Sequence, residues 1–382
     1  MKVAKKVHEL APSGIRAFFD LVLGMQDVIS LGVGEPDFVT PWHIREKAIY
    51  SLEKGYTSYT SNKGMPELRR AIAHFLDKRY GLSYDPEEEI LITVGVSEAL
   101  DLVFRAVIDP GDKILIPEPY YVSYGPVIDL AGGKPVFLKT KVDHAFKITP
   151  KQLEEAASGA LGLLLNYPAN PTGTSYTKPE LQELARVCVK RDLFVISDEI
   201  YDELTYDFEH TPLATLKGMK ERVVYLNGFS KAYAMTGFRL GWACGPAQVI
   251  GAMTKIHQYT ILCASIVGQM AALEALKSGF KDVVEMKREY TRRRRFMVEA
   301  LNDLGLTCHK PDGAFYVFPS IQKTKMPSLD FAKKLLQKQR VALVPGTAFG
   351  PSAEGFVRMS YASSYENLKE ALGRMKDFLK DT

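Results

Sequence analysis

Lys231 stands eight residues before Arg239 in the run Leu226 to Trp242, LNGFSKAYAMTGFRLGW, among small and aromatic neighbours. A lysine amine can hold an aldehyde covalently as a Schiff base, while the planar fork of an arginine, helped by backbone N–H groups, holds a phosphate. The pairing suits a ligand that is both an aldehyde and a phosphate, as pyridoxal 5′-phosphate is. A lysine by itself is a weak signal, because nearly all lysines are solvated surface residues. Other segments must supply the remaining groups that such chemistry needs.

Two segments upstream do so: Asn166 to Gly173, NYPANPTG, and Phe194 to Tyr201, FVISDEIY. Each follows or contains an apolar run of strand length, Ala160 to Leu165 and Leu193 to Ile196, which places both at the carboxyl ends of strands. Ligands bind at that edge of open α/β sheets. A carboxylate is needed to keep a pyridine nitrogen protonated so that the ring can absorb electrons, and Asp198 is the candidate. Hydrogen-bond donors to the ring's phenolic oxygen stabilise its anion, a role that Asn170 and Tyr201 fit. Taken singly, the plainer readings prevail: a helix cap for Asp198 and a turn residue before Pro171 for Asn170. Only the combination favours chemistry.

In that combination the chain resembles the class I/II aminotransferases, the fold-type-I pyridoxal enzymes, along essentially its whole length. It is most similar to the prokaryotic subgroup containing aspartate, aromatic and N-acetyl-diaminopimelate aminotransferases. The motifs that carry the likeness are N-P-x-N-P-T-G, S-D-E-x-Y and S-K-x-x-x-x-x-G-x-R-x-G. The first departs here, with Tyr167 before Pro168, but counting back from Pro171 keeps Asn170 in place. The resemblance implies an α/β fold: a large domain with a mostly parallel seven-stranded sheet between helices, and a small α+β domain. It assigns Asp198 to the pyridine nitrogen, Tyr201 and Asn170 to the phenolic oxygen, Lys231 to the Schiff base and Arg239 to the phosphate. Gly228 stands where several relatives place a phosphate-binding serine, and Ser230 is the residue that compensates in part.

Further phosphate donors are expected from Ile90 to Leu100, ILITVGVSEAL, where a strand-like run ends at Gly95 and helix-forming residues begin at Ser97. The first N–H groups of that helix, those of Val96, Ser97 and Glu98, would face an anion at the positive end of the helix dipole. A serine followed by glutamate at a helix start is equally an ordinary cap. By resemblance Tyr121, in PEPYYVSY, stacks on the cofactor ring, whereas Tyr120 and Tyr124 read as core or rim. Tyr59 resembles a tyrosine that relatives extend from the neighbouring subunit of a homodimer toward the phosphate. Arg358, in FVRMSYA, matches the arginine that grips the substrate α-carboxylate, and Gly34, in GVGEPDF, matches a glycine whose backbone meets the same group. Alternation with Val357 and Met359 would also make Arg358 an edge-strand surface residue.

The reaction implied is ping-pong transamination between an amino acid and a 2-oxo acid, with Lys231 as covalent anchor and general acid/base. Members acting on acidic substrates carry a lysine where this chain has Ser97, so recognition of a distal carboxylate is not expected here. The flap Ser13 to Phe19, SGIRAFF, which brings Ile15 to the substrate, and the tyrosines near the cofactor suggest an aromatic or large apolar donor, with 2-oxoglutarate as acceptor. N-acetyl-diaminopimelate or aspartate transamination, a pyridoxal-dependent C–S β-lyase and a non-catalytic pyridoxal-binding regulator are the alternatives. A nicotinamide dehydrogenase is disfavoured, since no G-x-G-x-x-G follows a strand.

Composition agrees. A chain of 382 residues with 46% hydrophobic content can bury a large core and split into domains. The division the resemblance implies is 1–40 for an N-terminal arm and part of a small domain, 41–285 for the large cofactor-binding domain and 286–382 for the small C-terminal domain. Net charge is only +4 with the signs interspersed, so no nucleic-acid or membrane partner is implied. The basic run Arg292 to Arg295 reads as a solvated helix face. Four scattered cysteines without C-x-x-C spacing suit a reducing cytoplasm and argue against structural zinc. No signal-peptide core or membrane-length apolar run is present, which predicts a cytoplasmic enzyme.

Strand-like runs near Ile29, Ile92, Ile114, Val136, Leu164 and Val195 alternate with helical patterns such as Pro66 to Arg79 and Pro179 to Lys190. Two long helices are expected over Pro246 to Lys277 and Lys281 to Leu304. Short strands around Phe315, Val341 and Val357 and helices Leu329 to Lys338 and Tyr365 to Leu379 follow.

Overall fold

The computed structural model of the protein describes residues 2–12, 14, 22 and 24–380. Its strands, in chain order, are β1 (Ile29–Ser30), β2 (Ile90–Thr93), β3 (Lys113–Glu118), β4 (Lys134–Lys139), β5 (Gly162–Asn166), β6 (Phe194–Asp198), β7 (Val223–Gly228), β8 (Gly241–Cys244), β9 (Tyr316–Val317), β10 (Val341–Ala342), β11 (Val344–Pro345) and β12 (Val357–Ser360). Seven of them form one sheet in the order β2-β8-β7-β6-β5-β3-β4. All pairings in it are parallel except those of β8, which runs antiparallel to both β2 and β7.

The sheet is buried on both faces, which explains why its strands read as continuous apolar runs rather than alternating ones. Successive residues still part to opposite sides. Leu163, Leu165 and Val195 pack with Leu68, Ile72 and Leu181 from the helices Pro66–Tyr80 and Lys178–Lys190. Leu164 and Ile196 pack with Leu100, Phe104 and Ile250 from the helices Gly95–Val107 and Ala247–Thr260. The chain runs outward from β3 to β4 and then crosses back to β5, so the strand order reverses between β3 and β5. A crevice opens there beyond the carboxyl ends, the usual place for a ligand in such a sheet.

A second group of elements surrounds the three-stranded sheet β11-β12-β9 and the parallel pair β1-β10. Its core gathers Phe315, Val317, Phe331, Val357, Met359 and Leu368. Pairing of Ile29 with Val341 draws the N-terminal segment into this group.

Two expectations change. The helix expected over 246–277 is two helices, Ala247–Thr260 and Ile266–Ser278. The first ends where Leu262 takes a left-handed conformation, φ +71°, and its N–H and that of Ile261 both bond back to the His257 carbonyl. The basic run on the helix Phe280–Asp303 is not a uniformly solvated face, because four consecutive residues point all round a helix with 3.6 residues per turn. Arg293 and Arg294 are buried and paired with Asp37 and Asp207, at 2.8 Å each, while Arg292 remains outside. Among the described residues no helix is long and apolar enough to cross a membrane, and no cluster of three or more ligating side chains could hold a metal ion.

Candidate active site

A cavity of about 730 Å³ lies at the carboxyl edge of the sheet, bounded on the other side by the second group of elements. The strands fix its floor. Asn166 ends β5, Asp198 ends β6, and β7 runs out at Gly228 just before Ser230 and Lys231. Of the residues singled out by sequence, Gly34, Val96, Ser97, Tyr121, Asn170, Asp198, Tyr201, Ser230, Lys231, Arg239 and Arg358 all line this one cavity.

The Lys231 amine donates to the Gly34 carbonyl at 2.7 Å and lies over the rings of Tyr201 and Phe315. Burial pushes its pKa down to about 8, with Arg358 and Arg239 acting in the same direction and Glu35 opposing. A depressed pKa leaves a larger share of neutral amine at neutral pH, the form that attacks a carbonyl carbon. Asp198 is buried and accepts a 2.7 Å hydrogen bond from the Tyr124 hydroxyl. Burial raises its carboxyl to about 6, against the pull of Tyr124 and the Ile200 N–H. An acid so desolvated gains much from a cationic partner, such as a protonated ring nitrogen.

Arg358 is not a surface residue. β12 is the middle strand of its sheet, and the guanidinium turns away from Val357 and Met359 into the cavity wall, fully buried. It donates to Asn170 Oδ1 at 2.8 Å and to the Gly32 carbonyl at 2.5 Å, over the rings of Tyr316 and Phe349. Its Nε has no hydrogen-bond partner, and no carboxylate faces it among the described contacts. A buried guanidinium with spare donors is suited to a carboxylate brought by a substrate. Gly34 leaves room beside it, since a Cβ there would come within 2.7 Å of the Tyr316 hydroxyl.

The opposite end is built for an anion. The helix Gly95–Val107 starts with no side-chain cap, so its first amides are free. The Arg239 guanidinium packs against that start, where a Cβ at Gly95 would fall 2.8 Å from Nη2. Arg239 itself holds a left-handed backbone, φ +55°. The smallness of Gly228 also has a local cause: a Cβ there would meet the Leu240 carbonyl at 2.8 Å and Gly241 Cα at 3.0 Å, so the antiparallel partner strand leaves no space for a serine. Ser230 lies in the cavity wall instead.

One expected donor needs correction, and one expected residue falls outside the described ones. Glu98 is not in the wall. The helix begins at Gly95, so its free amides are those of Gly95, Val96 and Ser97, of which Val96 and Ser97 line the cavity, and the Glu98 side chain turns back to the Val94 N–H. Tyr59 is 82% exposed and stands apart from this chain's own cavity. Ile15 lies outside the described residues. Tyr124, read as core or rim, is a buried cavity residue bonded to Asp198. Asn166, Glu35 and Tyr316 also line the cavity without having been singled out. Asn166 was within sight, because it ends an apolar run, and it bridges β5 to β6 by donating to the Asp198 carbonyl at 2.9 Å. Tyr316, whose hydroxyl is 2.9 Å from that of Tyr201, carries no local signal.

An amine, a facing carboxylate, a phosphate-sized anion cradle and an arginine with unused donors thus share one cavity, and these are the groups that pyridoxal 5′-phosphate and an amino acid require. Comparison with known proteins agrees. The family model described as aminotransferase class I and II matches residues 26–375. The chain is 54% identical over 377 residues to a putative aminotransferase, YugH, of Bacillus subtilis, covering 98% of each. It is 44% identical to an aspartate aminotransferase of Pyrococcus abyssi, over 100% of this chain and 99% of that one. The crystal structure of an aromatic aminotransferase from Pyrococcus horikoshii superposes with a TM-score of 0.91 at 44% identity, over 96% of this chain and 99% of that one. The chain therefore belongs to the class I and II aminotransferases, pyridoxal-phosphate enzymes of fold type I.

Proposed function

We propose that this aminotransferase moves an amino group from an aromatic or large apolar L-amino acid to a 2-oxo acid such as 2-oxoglutarate, in a ping-pong sequence with Lys231 as covalent anchor. The observation that carries the reading is the position of Lys231, whose amine shares a single cavity with the Asp198 carboxylate and the Arg358 guanidinium. Pyridoxal phosphate, when bound, supplies an aldehyde carbon and a ring that accepts the electron pair left on Cα. The residues do the rest. Arg239, Ser230 and the amides of Val96 and Ser97 hold the phosphate. Asp198 holds a proton on the ring nitrogen, with Tyr124 fixing its orientation. Tyr201 and Asn170 would donate to the phenolic oxygen, and Tyr121 would cover the ring. Arg358 and the Gly34 backbone orient the substrate carboxylate, and Lys231 Nζ takes the proton from Cα.

The donor preference rests on charge. Lys231, Arg239 and Arg358 are the cations of the wall among the described residues, and each already has a role. Ser97 leaves none for a distal carboxylate, while Val33, Tyr121, Val122 and Tyr316 give apolar and aromatic surface. Aspartate is the second reading, favoured by the name of the Pyrococcus abyssi relative.

We also propose a homodimer in which Tyr59 reaches the neighbouring cavity. Val39, Trp42, Leu52, Tyr59 and Tyr259 are exposed large apolar residues, and Asn62 joins their two segments by bonding to the Leu262 carbonyl at 2.8 Å. Large apolar side chains left this exposed favour a partner surface. The division into 1–40, 41–285 and 286–382, with the outer pieces closing together, is supported by the pairing of β1 with β10.

The test is the visible spectrum of the protein reconstituted with pyridoxal phosphate, before and after phenylalanine, tyrosine, aspartate and N-acetyl-diaminopimelate are added in turn. Conversion to the amine form by the aromatic donors supports the proposal. A far faster conversion by aspartate replaces it with the second reading, and release of pyruvate, ammonia and a thiol from an added cysteine thioether without conversion points to a lyase.

A further inference from the structure

Glu98 presents a difficulty for the anion cradle. It is an acid on the first turn of the helix Gly95–Val107, whose free amides lie in the cavity wall beside Arg239. A carboxylate at that point is attracted by the same helix end that must receive the phosphate, and can fold onto the same amides. It does not do so here. One oxygen accepts from the Val94 N–H at 2.5 Å, and the other accepts from Nδ1–H of His257 at 2.7 Å.

His257 belongs to the helix Ala247–Thr260, which packs against the phosphate helix; it does not line the cavity and is fully buried. Among the described residues its other nitrogen, Nε2, has no hydrogen-bond partner. A buried ring nitrogen left without a partner is unfavourable, so the packing around it provides no reason for an imidazole. Among the described residues the one polar contact of the imidazole is to Glu98.

We infer that His257 is a positioning residue for the phosphate cradle: it draws the Glu98 carboxylate under the turn at Val94 and so keeps the amides of Gly95, Val96 and Ser97 free for the cofactor's phosphate. The inference rests on the cofactor reading of the cavity. Without the imidazole, Glu98 is released toward the helix end, where it competes with the phosphate and repels it. The interference requires the negative charge, so replacing Glu98 by its amide removes it.

The test uses the cofactor-free protein and two non-covalent probes, pyridoxine 5′-phosphate and pyridoxine, which differ only in the phosphate and form no bond to Lys231. Binding is followed by quenching of intrinsic fluorescence. His257→Leu is expected to weaken the phosphate-bearing probe by about tenfold and to leave pyridoxine within about twofold. The double variant His257→Leu with Glu98→Gln is expected to return to within about twofold of the parent. Equal losses for both probes, or no recovery in the double variant, would overturn the inference, since a merely structural imidazole acts on both probes. Glu98→Gln alone covers the case in which His257→Leu does not fold: it should bind the phosphate-bearing probe at least as tightly as the parent, and weaker binding overturns the inference. If the parent binds pyridoxine 5′-phosphate no better than pyridoxine, the cofactor reading itself fails. A parent that prefers the phosphate, with variants that break the pattern, sinks only the role of His257.

Discussion

Asp198 and Glu199 are consecutive acids at the end of β6, both buried, and they differ in what surrounds them. Asp198 faces the cavity, with one phenol on Oδ2 and a long 3.3 Å contact from the Ile200 N–H on Oδ1. Glu199 points away and is saturated: Ser197 and His210 approach to 2.6 Å, Tyr167 to 2.9 Å and the Leu213 N–H to 3.2 Å. Alternation along an extended chain sends the two to opposite sides. A carboxylate whose bonding capacity is filled by the protein is a structural strut, whereas one left with capacity to spare awaits a partner. Glu199 also explains Tyr167, the departure from the family motif. Its buried ring stacks on His210 at 5.1 Å, and its hydroxyl ties the loop bearing Asn170 to the end of β6.

The largest expected effect separates the pair outright. Asp198→Asn should lower turnover by about 10³-fold or more without lowering the unfolding midpoint, because it removes the partner of the ring nitrogen together with a buried charge that is unfavourable at pH 7. Glu199→Gln should do the reverse, costing about 3 kcal/mol in urea unfolding with the turnover of the folded fraction within about threefold, since it breaks a filled buried network. Exchange of the two outcomes would end the distinction between strut and site.

The cavity groups should also register in the stability of the cofactor-free protein. Lys231, lowered to about 8 from 10.5, contributes stability that is present above the higher value and lost as pH falls through about 8. Asp198, raised to about 6 from 3.8, contributes stability that is present below the lower value and lost as pH rises through about 6. At pH 7 both sit on the unfavourable side. Lys231→Met should therefore stabilise the cofactor-free protein at pH 7 by about 2 kcal/mol and abolish the gain in stability otherwise seen between pH 8 and 10. A parent protein whose unfolding midpoint is flat across that interval would count against it.

The smallest effect sharpens the role of Tyr124. Its hydroxyl favours the ionised form of Asp198, so Tyr124→Phe should move the acid limb of kcat/KM to higher pH, with a loss of about tenfold on the acid side and less at high pH. A uniform loss at every pH would make Tyr124 a packing residue only.

Much of the site could be read in the chain because its polar residues sit at the ends of apolar runs. Asn166 and Asp198 follow LGLLL and FVIS, and a run buried on both faces must stop where the sheet meets the crevice. Lys231, Ser230 and Arg239 come from one continuous segment, although the strands on either side of it, β7 and β8, were not anticipated. The run Val223 to Leu226 was the available signal for β7. The break at Leu262 was hidden because apolar residues continue through it, and only the left-handed residue marks the helix end.

The sequence by itself determined the fold class and the chemical identities of the site, since local apolar patterning sets the strands and short motifs set which groups stand at their ends. Only the tertiary structure decided that Tyr124 serves Asp198, 74 residues away. It alone decided that Arg358 meets Asn170 across 188 residues, and that Glu98 turns to His257 rather than to the cavity. Those choices depend on the partners each polar group finds once water is excluded, and a linear pattern carries no record of partners brought together by packing.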